Sequence, residues 1–548
     1  MGNKLKRSFI YLFLAWNLIL AITAYAQINS PHILPDQFFF VKTIRIEGNA
    51  LLPDRKLDGL LINFTNQSHT MATLEKAANL IQQSYRDAGY GGVVAYLPEQ
   101  VFEQGEIVIK VLEGKLEHIN ISGNKYLEES NILSSLPKLI IGSTPVVKDI
   151  DRNIQMANEN PGKKLNITLL PGIKLGAINA DIKVTEEKSL RLLFGLDSAG
   201  TPGTGNFRVS AGIQHTNLWN RDHIGTFQFQ TSPTDPGHAQ VYSAGYRIPL
   251  YDYLSAVDLI YAFSNIDSTT SATPISIGPI GFIGKGHVAG IRAHRFLSRL
   301  GEYDHRLTIG WDWRHFDNHC DFRGIINACG RINADITVAP FSIGYTGQFE
   351  SSKFSWGFHT NLSGNLAGSS NSNFDIARPN AEKNYAAWRF FGFSNLNFST
   401  GFTLSKRLTT QYSPFALIPG EQFGIGGGGS AMGGVISVRG YREREVVGDY
   451  GIAFNLEGLG PDIASYIKSE SISIRPLVFF DIGWAGNNHH MDCNAHSNSC
   501  ALAGIGGGLR FKIGKQFSGR LDLGQALIDG NLQKAGDIRG HLAINIHY

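Results

Sequence analysis

The sequence predicts two α+β repeats followed by an all-β, sixteen-stranded antiparallel barrel that spans a membrane. Three observations predict it. A strand ending at Gly48-Asn49 and another ending at Gly123-Asn124 each open a similar run of helical and extended segments. From Leu190 onward, short segments alternate apolar and polar residues between Gly, Pro, Asn and Asp turns. Charged residues are only 17%, aromatics reach 11% and there are 62 glycines, a mix that suits a β-rich wall between lipid and water. At 548 residues the chain is too long for one small core, and its net charge of +3 is too small to argue for nucleic acid.

The N-terminus reads as a secretory signal, residues 1–26. Lys4, Lys6 and Arg7 precede the apolar run Phe9–Ala21, and Ala24-Tyr25-Ala26 supplies a small-x-small cleavage site. A membrane anchor is the alternative, disfavoured by the short apolar run. No later stretch offers eighteen consecutive apolar residues, so a membrane span in the mature chain must be a barrel.

Residues 27–38 form a short lead containing Pro31 and Pro35. The first repeat covers 39–114: a strand over Phe40–Ile46, a short helix over Leu51–Asn63, a helix over Met71–Ala88, and strands over Gly92–Tyr96 and Glu106–Leu112. Leu74, Ala77, Ala78, Ile81 and Tyr85 recur at helical spacing, and Gly89 stops that helix. The second repeat covers 115–188, with a strand at Leu116–Ile121, helical segments near Glu128–Leu136 and Val147–Asn158, and strands at Lys164–Pro171 and Gly176–Val184. Two units of about 75 residues in tandem explain this better than one ordinary α+β domain.

The barrel covers 189–548. Val209, Ala211 and Ile213 alternate with Arg208, Ser210, Gly212 and Gln214, and Ile452, Phe454 and Leu456 alternate with Gly451, Ala453, Asn455 and Glu457. The last strand sets Leu542, Ile544, Ile546 and Tyr548 against His541, Ala543, Asn545 and His547. A soluble sandwich also alternates, but its dry interior would not accept these charged and amide side chains unpaired. With an even strand number and the repeats at one end, every odd-to-even connection lies at the far end. The Cys320–Cys329 segment falls between strands seven and eight, the Gly424–Tyr441 segment between eleven and twelve, and Cys493–Cys500 between thirteen and fourteen. All three are far-end loops.

Four cysteines in two close pairs, Cys320 with Cys329 and Cys493 with Cys500, suggest two small disulfide loops in an exported chain. A metal site with His489, His490 and His496 is the rival reading, but C-x-x-C spacing is absent and no metal is expected. Gly424, Gly426 and Gly429 match a dinucleotide fingerprint without any surrounding βαβ unit. No phosphate-binding loop, H-E-x-x-H or G-x-S-x-G occurs, so no cofactor and no enzyme activity are expected.

The segment of most interest is the loop at about 415–449. Its glycine run ends in Val438-Arg439-Gly440-Tyr441. Farther on, Val478, Phe480, Ile482 and Trp484 share an apolar face, which turns Phe479, Asp481 and Gly483 toward the lumen. Arg439 either meets Asp481 inside the barrel or stays solvated on an outer loop, and the residues alone leave both readings open.

Val438-Arg439-Gly440-Tyr441 and Phe479-x-Asp481-x-Gly483, with Glu421-Gln422-Phe423, Gly448-Asp449-x-Gly451 and Gln240-Val241-Tyr242, resemble the motif set of the two-partner secretion transporters (TpsB). These form the ShlB/FhaC/HecB family of the BamA-like superfamily. The resemblance covers essentially all of the mature chain and makes the two repeats similar to POTRA domains. It implies a monomer in the bacterial outer membrane with its POTRA domains in the periplasm. It implies that the long loop enters the barrel and that Arg439 pairs with Asp481. It also implies export of one dedicated TpsA-type partner, a large haemolysin or adhesin captured by the POTRA domains, with activation of that partner as a further role. Relatives often carry an N-terminal plug helix. Spanning roughly 30 Å takes about 20 helical residues, and the short lead has no room for them, which leaves closure to the loop. A BamA-like assembly factor is the alternative, disfavoured by having only two repeats. A small-solute channel or receptor would need no such repeats.

Overall fold

The computed structural model describes residues 38–101, 104–200, 205–237, 239–265, 272–275, 278–281, 285–317, 335–431, 436–464, 471–489, 493 and 499–548. The signal peptide, the lead up to residue 37 with its exclusion of a plug helix, Cys320, Cys329, His490 and His496 lie outside these residues.

The chain divides into two compact units: residues up to Lys115 with Pro171–Ala177, and the remainder. In the first, Thr43–Glu47, Glu106–Glu113 and Val93–Tyr96 form a sheet with Glu106–Glu113 central. Helices Asp54–Leu61 and Met71–Ala88 bury Leu57, Leu61, Ala77, Ala78, Ile81 and Tyr85 in its core. Thr70 caps the longer helix by accepting from the Thr73 amide, and Gly89 closes it in the left-handed conformation. The single strand expected over Phe40–Ile46 is two strands here. Lys42 and Thr43 both donate to the Gly105 carbonyl, at 2.7 and 3.2 Å, which breaks the ladder. Phe38–Val41 then pairs instead with Gln67–Thr70, a polar strand that carries no alternation to betray it.

Within the second unit, Lys115–Ser122, Ala177–Glu186 and Lys163–Pro171 form a three-stranded sheet with Ala177–Glu186 central, covered by helices Glu129–Ser134 and Val147–Asn158. The two Gly-Asn signatures have one physical cause. Gly48 and Gly123 have φ of +88° and +86°, and a Cβ on either would sit 2.3 Å from a carbonyl oxygen, of Val111 and Val184 respectively. The loop after each is held by a carboxylate. Glu113 accepts from the Ala50 and Leu51 amides, and Glu186 from those of Lys125, Tyr126 and Leu127.

Sixteen antiparallel strands then close a barrel. In chain order they are Leu190–Asp197, Arg208–Leu218, His223–Thr231, Gln240–Leu250, Ser255–Asn265, Lys285–Phe296, Tyr303–Phe316, Ile336–Glu350, Phe354–Gly368, Tyr385–Asn397, Thr403–Tyr412, Tyr450–Leu459, Ile472–Gly486, Ser499–Ile513, Phe517–Ala526 and Ile538–His547. The last pairs with the first. Ile213, Phe227, Trp311, Val478 and Leu523 are exposed on the outer wall, whereas Gln214, Gln228, His294, Asp481 and Asp522 are buried inside. That is the expected alternation of a wall in lipid.

The α+β element adjoining the barrel is seated on its near-end turns. Leu116, Ile132, Ile150 and Met156 share a core with Tyr251, Leu254, Ala256 and Phe296. Lys163 donates to Asp222 Oδ2 at 2.5 Å, and the Tyr251 hydroxyl donates to the same oxygen at 2.8 Å, all nearly free of solvent. Burial pushes the Lys163 ammonium below its usual pKa, opposed by the Asp222 charge. Glu159 pairs with Arg247 and Arg306 from the wall.

Candidate functional site

Between strands eleven and twelve the chain turns into the barrel. Phe423–Ile425 and Val446–Gly448 form a short antiparallel ribbon at the root of this loop. Beyond it, Val438, Arg439 and Tyr441 are fully buried and pack with lumen-facing Ala453, Ala485, Leu502 and Ala526.

Arg439 is enclosed by side chains from three strands, the twelfth, thirteenth and fifteenth. Its Nε and Nη2 donate to the two oxygens of Asp481 at 2.7 and 2.8 Å, and its backbone amide donates to Asp481 Oδ2 at 3.0 Å. Nη1 donates to Glu457 Oε1 at 2.6 Å and lies 3.5 Å from Asp522 Oδ2. The guanidinium stacks 3.5 Å from the centre of the Phe479 ring. Asn455 donates to Asp481 Oδ1 at 2.8 Å and to the Ser437 carbonyl at 2.5 Å, joining wall to loop. Arg510 bridges Glu457 and Asp522, and Arg407 lies 3.5 Å from Glu457. Each carboxylate therefore faces cations, which offsets the desolvation that burying such charges costs.

The motif glycines are spaces for the loop. A Cβ on Gly483 would press on Val438 Cγ2 at 3.0 Å and Ile425 Cγ2 at 3.2 Å, and one on Gly504 would sit 2.0 Å from the Arg439 carbonyl oxygen. Gly440 has φ +96°, and a Cβ on it would sit 3.0 Å from the Gln525 and Ala526 backbone, where a side chain has neither conformation nor room. The Tyr441 hydroxyl donates to the Ile528 carbonyl at 2.6 Å and accepts from the Ile528 amide at 3.1 Å, fixing the loop to the connection after strand fifteen.

The structure thus brings together Val438, Arg439, Gly440, Tyr441, Phe479, Asp481 and Gly483. It also joins Cys493 to Cys500 in a disulfide. Sequence reasoning passed over two partners. Glu457 stood on the polar face of its strand without a role. Asp522 begins Asp522-Leu523-Gly524, the same Asp-x-Gly pattern as Asp481-Ile482-Gly483, and that repetition was the available signal. A Cβ on Gly524 would meet the Gly440 nitrogen at 2.7 Å, so both wall motifs pair an aspartate for Arg439 with room for the loop, its side chains at Gly483 and its backbone at Gly524. Near the end that carries the repeats, a cavity of about 450 Å³ with a mixed polar and apolar lining lies between Glu159 and Pro161 on one side and Ala431 of the loop on the other. Arg191, Arg247 and Gln228 line it from the wall.

Two POTRA-like repeats ahead of a sixteen-stranded barrel with an inward loop define a POTRA-bearing outer-membrane barrel protein, its POTRA domains in the periplasm. Residues 176–511, more than half of the chain, match the haemolysin secretion/activation proteins ShlB/FhaC/HecB, and residues 39–114 match the ShlB-type POTRA domain. The chain belongs to the ShlB/FhaC/HecB family. The heme/hemopexin transporter protein HuxB of one Haemophilus influenzae strain is 21% identical over 88% of this chain and 82% of its own. HuxB of another H. influenzae strain matches at 27% identity over 33% of this chain, which there spans only 32% of that relative's length. The solved structure of CdiB from Escherichia coli has the same fold, with a TM-score of 0.75 at 20% identity over 95% of this chain and 92% of that one.

Proposed function

We propose that this transporter exports one dedicated, large TpsA-type partner across the outer membrane and that the Arg439 loop holds its pore closed between transport events. The buried Arg439 constellation carries this reading. Nothing in a rigid wall requires an arginine brought in by a long loop, whereas a removable stopper does. The POTRA units capture the partner's extended N-terminal segment by adding it to an open sheet edge. Thr43–Glu47 and Val93–Tyr96 are the edges of one sheet, and Lys115–Ser122 and Lys163–Pro171 those of the other. The cavity lined by Ala431 receives the unfolded chain, its amides and arginines meeting passing backbone groups and its apolar surface passing side chains. The protein works as a monomer, without cofactor or catalytic group, and activation of the partner accompanies its passage.

Deleting the gene is expected to trap one large exported protein in the periplasm while other outer-membrane barrels stay at normal levels. Broad loss of those barrels would assign the chain to barrel assembly instead. Complementation with Arg439→Glu is expected to restore the barrel but not export, and Asp481→Arg in the same chain to recover part of it.

A further inference from the structure

Arg439 fixes the inner end of the loop. A second buried ion pair, Arg378 with Asp449, fixes both feet. The connection between strands nine and ten is extracellular and holds a short helix, Asn371–Ala377. One face of this helix stands in solvent, and the other puts Phe374 into the barrel mouth. Phe374 is fully buried among lumen-facing Ile260, Val288, Phe316 and Val338 and the loop residues Leu417 and Ile418. The lumen wall is apolar at this level. Next in the chain, Arg378 is also buried. Its Nη1 donates to Asp449 Oδ1 and, at 2.5 Å, to the Leu417 carbonyl. Its Nη2 donates to Asp449 Oδ2 at 3.1 Å and to Asn487 Oδ1 at 3.0 Å. Asp449 has no exposure and further accepts from the Leu417 and Asn488 amides, each at 2.9 Å. Ala381 then bridges to Ala416.

Leu417 lies at the foot where the loop leaves strand eleven, and Asp449 at the foot where it rejoins strand twelve. One guanidinium thus ties the two feet to each other, to the connection after strand thirteen, and to an apolar stopper in the mouth. We infer that the 371–381 segment is a second closure of the pore, and that Arg378 and Asp449 are positioning residues that latch it to the loop. The pore has an inner latch at Arg439 and an outer latch at Arg378, and each by itself lowers the fraction of time the pore is open. This rests on the closed-pore reading above.

The test uses the full-length protein in planar bilayers: wild type, Arg378→Ala, Arg378→Lys, Asp449→Ala, the Arg378→Ala/Asp449→Ala double variant, and Arg439→Glu for comparison. Heat-modifiable migration in gels verifies the barrel of each. Arg378→Ala is expected to raise the fraction of time open on the order of tenfold. Adding Asp449→Ala should raise it little further, since the pair acts as a unit. Lysine keeps the charge but not the fork, so Arg378→Lys recovers part of the closure. Trypsin applied to intact cells should cut after Lys383 faster in Arg378→Ala than in wild type, a readout of the stopper itself. Folded Arg378→Ala barrels with wild-type opening and wild-type cleavage overturn the outer latch while leaving the function intact, provided Arg439→Glu opens the pore. A closed Arg439→Glu barrel overturns the closed-pore reading and the outer latch with it.

Discussion

Arg439 shares three carboxylates unequally, and that inequality ranks its partners. Asp481 takes three of its donors, Glu457 one, and Asp522 only a 3.5 Å approach. Removing the first partner of a buried pair costs about 3–5 kcal/mol, and a lost hydrogen bond to a charged group about 1.5–3 kcal/mol. Asp481→Ala is therefore expected to abolish export, and Asp522→Asn to slow it several-fold with Arg510 still held by Glu457, as quantitative blotting of exported partner will show. Equal defects would contradict the ranking. Gly483→Val tests space rather than charge. Its side chain meets Val438 and Ile425 directly, and overpacking of this kind costs about 1–3 kcal/mol. The barrel should assemble with the loop displaced, seen as a raised conductance. Much of this site was legible residue by residue. Asp481 is the only charge between Pro476 and Gly486 of its strand, and period-two alternation turned it inward. Asp522 was obscured because Arg520 beside it made that strand read as an ordinary polar face.

The repeated α+β elements were legible for a local reason and mispaired for a nonlocal one. Gly48 and Gly123 announce themselves because only glycine accepts that backbone beside a carbonyl oxygen. The break at Lys42 depends on Gly105, more than sixty residues away, and no local pattern encodes it. The seat of the element adjoining the barrel was hidden likewise, since Lys163 and Asp222 look solvated in the sequence. Lys163→Met leaves Asp222 buried beside Tyr251 without a cation, a loss of about 3–5 kcal/mol. The variant is expected to be cut by protease between Glu186 and Leu190 many-fold faster in detergent. Lys163→Met with Asp222→Asn should recover much of that resistance, because the neutral amide keeps the left-handed backbone at φ +59° and still accepts from Tyr251 without a stranded charge. If the double variant is as labile as the single one, the seat depends on shape and not on charge.

For the whole molecule, closure by buried ion pairs has a consequence that closure by surface charges would not. Arg439, Asp481, Asp522 and Asp449 have no solvent exposure, and Glu457 and Arg378 almost none. Mobile ions screen exposed charges over about 10 Å at 0.1 M salt and about 3 Å at 1 M, but they cannot enter these sites. The surface pairs behave otherwise: Lys515 with Glu187, and Arg45 with Glu47 and Glu106, are all open to solvent. Raising salt from about 0.1 M to about 1 M should therefore leave the wild-type fraction of time open unchanged, once current is normalised to the conductivity of the bath. In Arg439→Lys the compact ammonium cannot fork to Asp481 while reaching Glu457, water enters the gap, and the closed state becomes screenable. That variant should open more as salt rises. If the wild-type pore opens with salt to the same degree, the charges that close it lie at the surface, and the buried constellation serves the barrel's stability rather than its gate.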